Sequence, residues 1–292
     1  MPAPDGLVVV DKPSGVTSHD VVATIRRRLG TRRVGHAGTL DPLATGVLVV
    51  GVGRGTRLLR WISGGDKSYE AHVHLGSSTT TDDAAGDVIE QCAPGDIERV
   101  TNEVLAEAIG RYRGTILQRP SSVSAIKVEG RRAHARVRAG EHVELDAREV
   151  TVHDLSWSVE RRDSQAIDLV IDVTCSSGTY IRALARDIGR DVGAGGHVRA
   201  LRRTRVGAFT LAEALDPNEV TPESVMSLAT AVRRILPVQT VDESLAADMS
   251  HGRPVDWPCA TTVTHAFVNL HGDVLAVGDE RDGRIDYQCV FA

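Results

Sequence analysis

Residues 35–46 read GHAGTLDPLATG, which places one carboxylate, Asp41, among three glycines, with Pro42 directly behind it and His36 as the second proton carrier of the stretch. Two roles suit an acid in that setting. Asp before Pro opens many helices, with Asp as N-cap and Pro in the first turn, and LATGVLVV could follow as a short helix or a strand. Against this, Pro42 biases Asp41 towards an extended backbone. Gly35, Gly38 and Gly46 let the chain turn or let another molecule approach its backbone. Such a loop can present one acid at a fixed angle.

Other motifs carry less. GVGRGTR (51–57) invites a phosphate-loop reading, but it lacks the Lys-Ser/Thr ending of a Walker A sequence and does not meet the GxGxxG pattern. GTLDP echoes phosphatases with an aspartyl nucleophile, with the acid on the wrong side of GTL. Cys92, Cys175, Cys259 and Cys289 are scattered without CxxC or Cys/His spacing. Reduced thiols, mostly buried, are expected, with no disulfide framework and no zinc site.

The elements that must position these residues follow from periodicity. LVVV (7–10) reads as a short buried strand, and SHDVVATIRRRLG as a helix capped by Ser18. An apolar run, VLVVGVG, and a helix-like RLLRWI follow the Asp41 loop. KSYEAHVHLG alternates as a strand does, with Tyr69, Ala71, Val73 and Leu75 on one face. AIDLVIDVTCSSGTYIRALARDIGRDVG reads as strand, tight turn and helix. Residues 211–240 suggest a helix pair and linker. From there on, HAFVNL, DVLAVGD and YQCVFA are strand-like runs between Gly/Asp turns. This order implies an α+β fold with a largely antiparallel sheet. Two domains are expected, 1–236 and a small β domain, 237–292.

The 292 residues supply ample apolar material for a core, and no run has the apolar length of a membrane helix or the layout of a signal peptide. A cytoplasmic protein is expected. Net charge is −5, yet arginines cluster in IRRRLGTRR, GRRAHARVR and HVRALRRTR. A single run is ordinarily a solvated face; three together suggest a phosphate-binding surface. Only Lys12, Lys67 and Lys127 are lysines; the other 31 basic residues are arginines.

The ordered blocks VVVDKPSGVTSHD, GHAGTLDPLATGVLVV, KSYEAHVHLG, QRPSSVSAIKVEGRRAHARVRAG, CSSGTYIRALARDIG and HVRALRRTRVGAF resemble the TruB family of tRNA pseudouridine synthases across roughly the first 210 residues. All three lysines lie inside these blocks. The chain departs from the family where Pro120 is followed by Ser121, Ser122 and Val123 in place of Pro-x-Tyr/Phe, and where His134 replaces a customary tyrosine.

The resemblance implies a pseudouridine synthase fold and a C-terminal PUA-like RNA-binding domain. The implied reaction breaks the N1–C1′ bond of uridine 55 in the T loop of tRNA, rotates the base and joins C5 to C1′. It needs no cofactor and no metal. Asp41 becomes the catalytic carboxylate, with attack at C1′, addition to C6 and proton removal from C2′ all left open. Burial alone would raise its pKa, so a nearby cation must keep it charged, and the resemblance nominates Arg182. Tyr69 becomes the residue that stacks on the flipped base, Tyr180 and Leu201 line the uridine pocket, and His36 faces the remodelled loop. The arginine runs would hold the T-arm backbone. A monomer without an obligate protein partner, and without a membrane, is expected.

Two other readings stay open from the residues themselves. One is a non-catalytic RNA-binding protein; the other is a phosphotransferase built on GVGRGTR. An isolated acid is of no use to pure binding, and the missing Walker lysine counts against the second.

Overall fold

A computed structural model describes residues 4–121, the strand residues 127–128 and 131–132, and residues 145–257 and 263–291. In chain order the strands are β1 (Gly6–Lys12), β2 (Val34–Ala37), β3 (Thr45–Val52), β4 (Lys67–Leu75), β5 (Ser77–Thr79), β6 (Val88–Gln91) and β7 (Gly114–Gln118). The short β8 (Lys127–Val128) and β9 (Arg131–Arg132) precede β10 (Arg148–Arg162), β11 (Ile167–Cys175) and β12 (Gly196–Val206). The series ends with β13 (Phe209–Thr210), β14 (Met226–Ser227), β15 (Val238–Thr240), β16 (Thr264–Val268), β17 (Val274–Arg281) and β18 (Arg284–Val290). The chain forms two compact units: residues 1–42, 46–64 and 206–292, and residues 43–45 with 65–205. The fold is α+β; β1 and β3 pair antiparallel in the first unit, and β4 with β11, β10 with β11 and β7 with β10 in the second.

In the first unit β1 lies between β14 and β3, and β2 flanks β3. The valines of β1 alternate between two cores. Leu7 and Val9 join Leu58, Val232 and Phe291, whereas Val8 and Val10 join Val21, Ile25 and Leu29 of the helix Ser18–Leu29. A strand buried on both faces reads as a continuous apolar run, as LVVV does. The helix cap differs from expectation by one residue: Thr17 is the N-cap and forms a capping box with Asp20, while Ser18 already lies inside the helix.

GVGRGTR forms a 3-10 turn over Gly53–Leu58, and a short helix, Leu59–Gly64, follows it. A Cβ on Gly55 would meet the Gly6 carbonyl oxygen at 1.9 Å, so the glycine serves close backbone packing. The Arg54 Nε and N–H each donate to Asp5 at 2.6 Å, and Arg54 Nη1 donates to the Phe291 carbonyl at 2.6 Å. Arg57 donates to the Val290 carbonyl. The motif grips the end of the chain.

Residues 211–240 do not make the expected helix pair. They form 3-10 turns at Leu211–Glu213 and Pro222–Ser224, one helix, Leu228–Ile235, and β15. Pro217, Pro222 and Pro237 interrupt the run, since proline breaks the helical hydrogen-bond ladder. Beyond them β15, β16, β17 and β18 make a four-stranded sheet. It has a small core of its own around Met249, Phe267 and Ile285. It also contributes Ala266, Val268, Val274 and Val277, and the chain just after it Phe291, to the core that holds Leu7 and Leu58.

In the second unit β4 pairs with β11, β11 with β10, and β10 with β7. Exposure along β4 alternates strictly, with Lys67, Tyr69, Ala71, Val73 and Leu75 all buried on one face. The thiols are less buried than their sequence setting predicts: Cys175 is buried, but Cys92 and Cys289 are half-buried, and Cys259 lies outside the described residues. Among the described residues no helix is long and apolar enough to cross a membrane.

Candidate active site

Asp41 lies in an irregular loop after β2, so the helix-cap reading of Asp-Pro does not hold; LATGVLVV leads into strand β3. Gly38 and Gly46 adopt φ of +81° and +102°, a region closed to most other residues, whereas Gly35 sits in β2 opposite Gly51.

The loop backbone is held on each side of Asp41. On the N-terminal side, the Leu40 N–H donates to Ser18 Oγ at 2.9 Å and the Ser18 hydroxyl donates to the Leu40 carbonyl at 3.2 Å. On the C-terminal side, the Pro42 carbonyl accepts the Gly15 N–H at 2.8 Å and Lys12 Nζ at 3.3 Å. Lys12 is fully buried, and its ammonium also donates to the carbonyls of Val16 at 2.7 Å and Pro13 at 3.0 Å. Three carbonyls thus compensate a charge that would otherwise be costly to bury. Gly15 takes φ +83° to bring its N–H into place. The DKPSGVTS segment is therefore a clamp for the acid's loop. His36, on β2, meets the His19 ring edge-on, with centroids 5.5 Å apart.

The second unit carries Tyr69, Tyr180, Arg182 and Leu201. Tyr69 is 8% exposed and pairs across β11 with Val173. Leu201, on β12, is 9% exposed. Tyr180 is the N-cap of the helix Ile181–Asp191, and Arg182 lies in that helix's first turn. The Arg182 guanidinium is buried and fixed by three oxygens: the Thr81 carbonyl at 2.7 Å, the Asp83 carboxylate at 3.3 Å and Ser121 Oγ at 3.4 Å.

One turn further on, Arg186 pairs with Asp82 at 3.1 Å. Burial pushes the Asp82 carboxyl above its usual range, with Arg186 opposing. The Asp82–Asp83 loop is in turn laid on β12, because the Val198 N–H donates to the Asp82 carbonyl at 3.1 Å. Lys67 shares the buried face of Tyr69, and burial together with Arg203 lowers its pKa to about 8.

Sequence reading left two of these groups unremarked. Asp83 sits in an acidic stretch, TTTDDAAGD, with no local mark of its partner Arg182. Gln118, at the end of β7, is 2% exposed. A glutamine just before Arg-Pro gave no signal. The departure at Ser121 has a structural role, since its buried hydroxyl donates to the Thr81 carbonyl at 3.2 Å. The departures at Val123 and His134 fall outside the described residues.

The arginine runs are partly turned inward. Arg203 is 1% exposed, Arg199 pairs with Asp168 at 2.9 Å, Arg202 donates to Thr45 Oγ1 at 3.3 Å and Arg205 to Ser68 Oγ at 3.1 Å. Arg27, Arg32 and Arg33 are exposed, and the side chains of the GRRAHARVR run are outside the described residues. Among the described residues no group of three or more His, Cys, Asp or Glu side chains is arranged to hold a metal ion.

Residues 26–181 match the N-terminal domain of the TruB family pseudouridylate synthases, and residues 182–241 match the tRNA pseudouridylate synthase B C-terminal domain. The chain is 48% identical to tRNA pseudouridine synthase B of Corynebacterium diphtheriae, over 97% of this chain and 95% of that protein. It is 50% identical to the protein of the same name from Thermobifida fusca, over 99% of both. Its fold is similar to a chain of a Cbf5-Nop10-Gar1 complex, with a TM-score of 0.72 and 25% identity, covering 98% of this chain and 85% of that one. Matched in sequence from end to end, the chain belongs to the TruB family of pseudouridylate synthases and is an isomerase.

Proposed function

We propose that the chain converts uridine 55 in the T loop of tRNA to pseudouridine, with Asp41 as the essential carboxylate acting on a flipped-out nucleotide. The observation that carries this reading is the clamp around Asp41: both neighbouring peptides are fastened, by Ser18 at Leu40 and by Gly15 and Lys12 at Pro42. Holding a reacting group in place before substrate arrives lowers the barrier to a bond exchange at a single ribose. The curated relatives named tRNA pseudouridine synthase B supply the substrate class.

In this reading the base leaves the T-loop stack so that its ribose reaches Asp41. Tyr69 stacks on it, offsetting about 1–3 kcal/mol of lost stacking. Tyr180 and Leu201 border the pocket, Arg182 supplies positive charge, and His36 contacts the remodelled loop. The N1–C1′ bond breaks and a C5–C1′ bond forms; C5 loses its proton and N1 gains one, so neither an oxidant nor an external group enters. The enzyme acts as a cytoplasmic monomer on the T-arm stem-loop, with residues 237–292 as the additional RNA-binding module.

The test uses a T-arm hairpin and full tRNA carrying tritium at C5 of the uridine. Enzyme-dependent release of tritium into water is expected, and release should be abolished in Asp41→Asn while RNA binding persists. Binding without release by the parent protein would favour an RNA-binding protein instead. Turnover by a carry-over-free Asn variant would remove Asp41 from the mechanism.

A further inference from the structure

The Gln118 carboxamide closes a two-point contact on the backbone of a single residue. Its Nε2 donates to the Tyr180 carbonyl at 3.0 Å, and its Oε1 accepts the Tyr180 N–H at 2.7 Å. Gln118 is the last residue of β7, in register with Arg148 of β10, and is 2% exposed. Tyr180 is the N-cap of the helix Ile181–Asp191, where it has no side-chain cap hydrogen bond. Its carbonyl also accepts the Leu184 N–H at 3.1 Å. The glutamine therefore fixes the plane of the peptide groups from which the helix starts.

The next residues of the same segment hold the same helix. The Arg119 carbonyl accepts Arg186 Nη2 at 2.7 Å, and Ser121 Oγ lies 3.4 Å from Arg182 Nη1. QRPS thus touches Tyr180, Arg182 and Arg186. Gln118 and Ser121 make these contacts with their side chains, and Arg119 with its backbone. A carboxamide offers a donor and an acceptor from two separate atoms, with no shared oxygen and no dependence on ionisation at neutral pH.

We propose that Gln118 is a positioning residue for the isomerisation: through the Tyr180 backbone it sets the direction in which Tyr180 and Arg182 leave the helix N-terminus. This rests on the reading of Tyr180 and Arg182 as pocket residues. Gln118 touches no reacting atom in that reading. Its loss should misorient the pocket while leaving the surface that grips RNA unchanged.

Two substitutions separate this from a merely structural role. Gln118→Leu keeps bulk and removes both hydrogen bonds. Gln118→Glu keeps the shape but, when ionised, turns an acceptor towards the Tyr180 carbonyl; protonation restores a donor there. At neutral pH both variants should lose about tenfold or more in kcat for tritium release, with the RNA Kd within about threefold of the parent.

The decisive readout is the pH profile. Relative to the parent, Gln118→Glu should recover turnover as pH falls towards about 5, where its carboxyl takes up a proton, and Gln118→Leu should not. In the parent chain the Tyr180 amide should be protected from hydrogen exchange, a measurement that needs no variant to fold. The proposal is overturned if both variants keep parental kcat, if the Glu and Leu profiles run parallel, or if the Tyr180 amide exchanges freely. Absence of tritium release by the parent would instead count against the function on which the proposal rests.

Discussion

One hydroxyl, that of Ser18, binds both polar groups of Leu40: it accepts the N–H at 2.9 Å and donates to the carbonyl at 3.2 Å. Both residues are buried, with 1% and 3% exposure, so water is not available to replace either bond. Ser18→Ala should therefore cost more than a typical surface substitution, about 2–4 kcal/mol when two buried backbone groups lose their partner. Since Leu40 precedes Asp41, kcat should fall while RNA binding is kept. Thermal unfolding and single-turnover assays check the two parts separately. A variant as stable and as active as the parent would show that the loop holds itself.

Arg182 and Asp83 form a buried ion pair, with side chains 6% and 8% exposed and 3.3 Å between them. Removing one partner of a buried ion pair costs up to about 3–5 kcal/mol, and the Thr81 carbonyl, Ser121 Oγ and the neighbouring Asp82 carboxylate offset part of that when Asp83 is the one lost. Asp83→Asn should be destabilised. A double variant, Asp83→Leu with Arg182→Met, should regain stability relative to the single one yet remain inactive. That pattern separates the pair's share in folding from the proposed share of Arg182 in the pocket. A double variant with parental turnover would remove Arg182 from the site.

Lys67 gives the fold a dependence on pH above neutrality. Burial, with Arg203 adding to it, lowers its pKa from 10.5 to about 8. In that window the unfolded chain binds the proton and the folded chain does not, so stability rises as pH increases from about 8 to about 10. Below it both states are protonated and the penalty is constant, with an upper bound of roughly 3 kcal/mol. Lys67→Met should raise stability near neutral pH and flatten the alkaline rise of the denaturation midpoint. A midpoint that falls on substitution would show that the ammonium's bonds, such as that to the Gly65 carbonyl at 2.6 Å, outweigh the cost of burying it.

The periodic parts of this chain were readable before any coordinates. KSYEAHVHL alternates because β4 has one face buried, and DLVIDVTCSSGTYIRALARDIG switches from period two to helical spacing at the glycine turn. Asp41 could be picked out because glycines and a proline bracket it. The groups that hold it were harder to find. The Ser18 contact spans 22 positions and the contact from Gln118 to Tyr180 spans 62. Such bonds depend on where the backbone folds back, which side-chain type does not encode. Ser18 could pass for a helix cap by local rules because serine favours that position; its partner at Leu40 carries no local mark. The arginine runs are ambiguous for a related reason: a guanidinium that meets protein carbonyls and one that meets phosphates use the same donors.

The end of the chain allows a gentler test of the proposed RNA-binding module than deletion. Removing residues from 237 onward would strip Ala266, Val268, Val274, Val277 and Phe291 from the core that holds Leu7 and Leu58, so lost activity would be confounded with unfolding. Arg54 and Arg57 offer a different handle: they donate to the carbonyls of Phe291 and Val290, and Arg57 lies 5.8 Å from the Phe291 ring centroid. Replacing both with alanine leaves the apolar core intact and loosens the last strand.

If β15–β18 contribute to RNA binding away from the flipped base, the double variant should raise KM for full tRNA several-fold. Its kcat at saturating tRNA should stay near the parental value, since lost uniform binding raises KM without lowering kcat. Faster exchange of the Phe291 amide, which donates to the Leu275 carbonyl at 2.7 Å, would verify that the strand has loosened. A loosened strand with unchanged KM would make the C-terminal sheet a structural cap on the core and leave RNA binding to the rest of the chain.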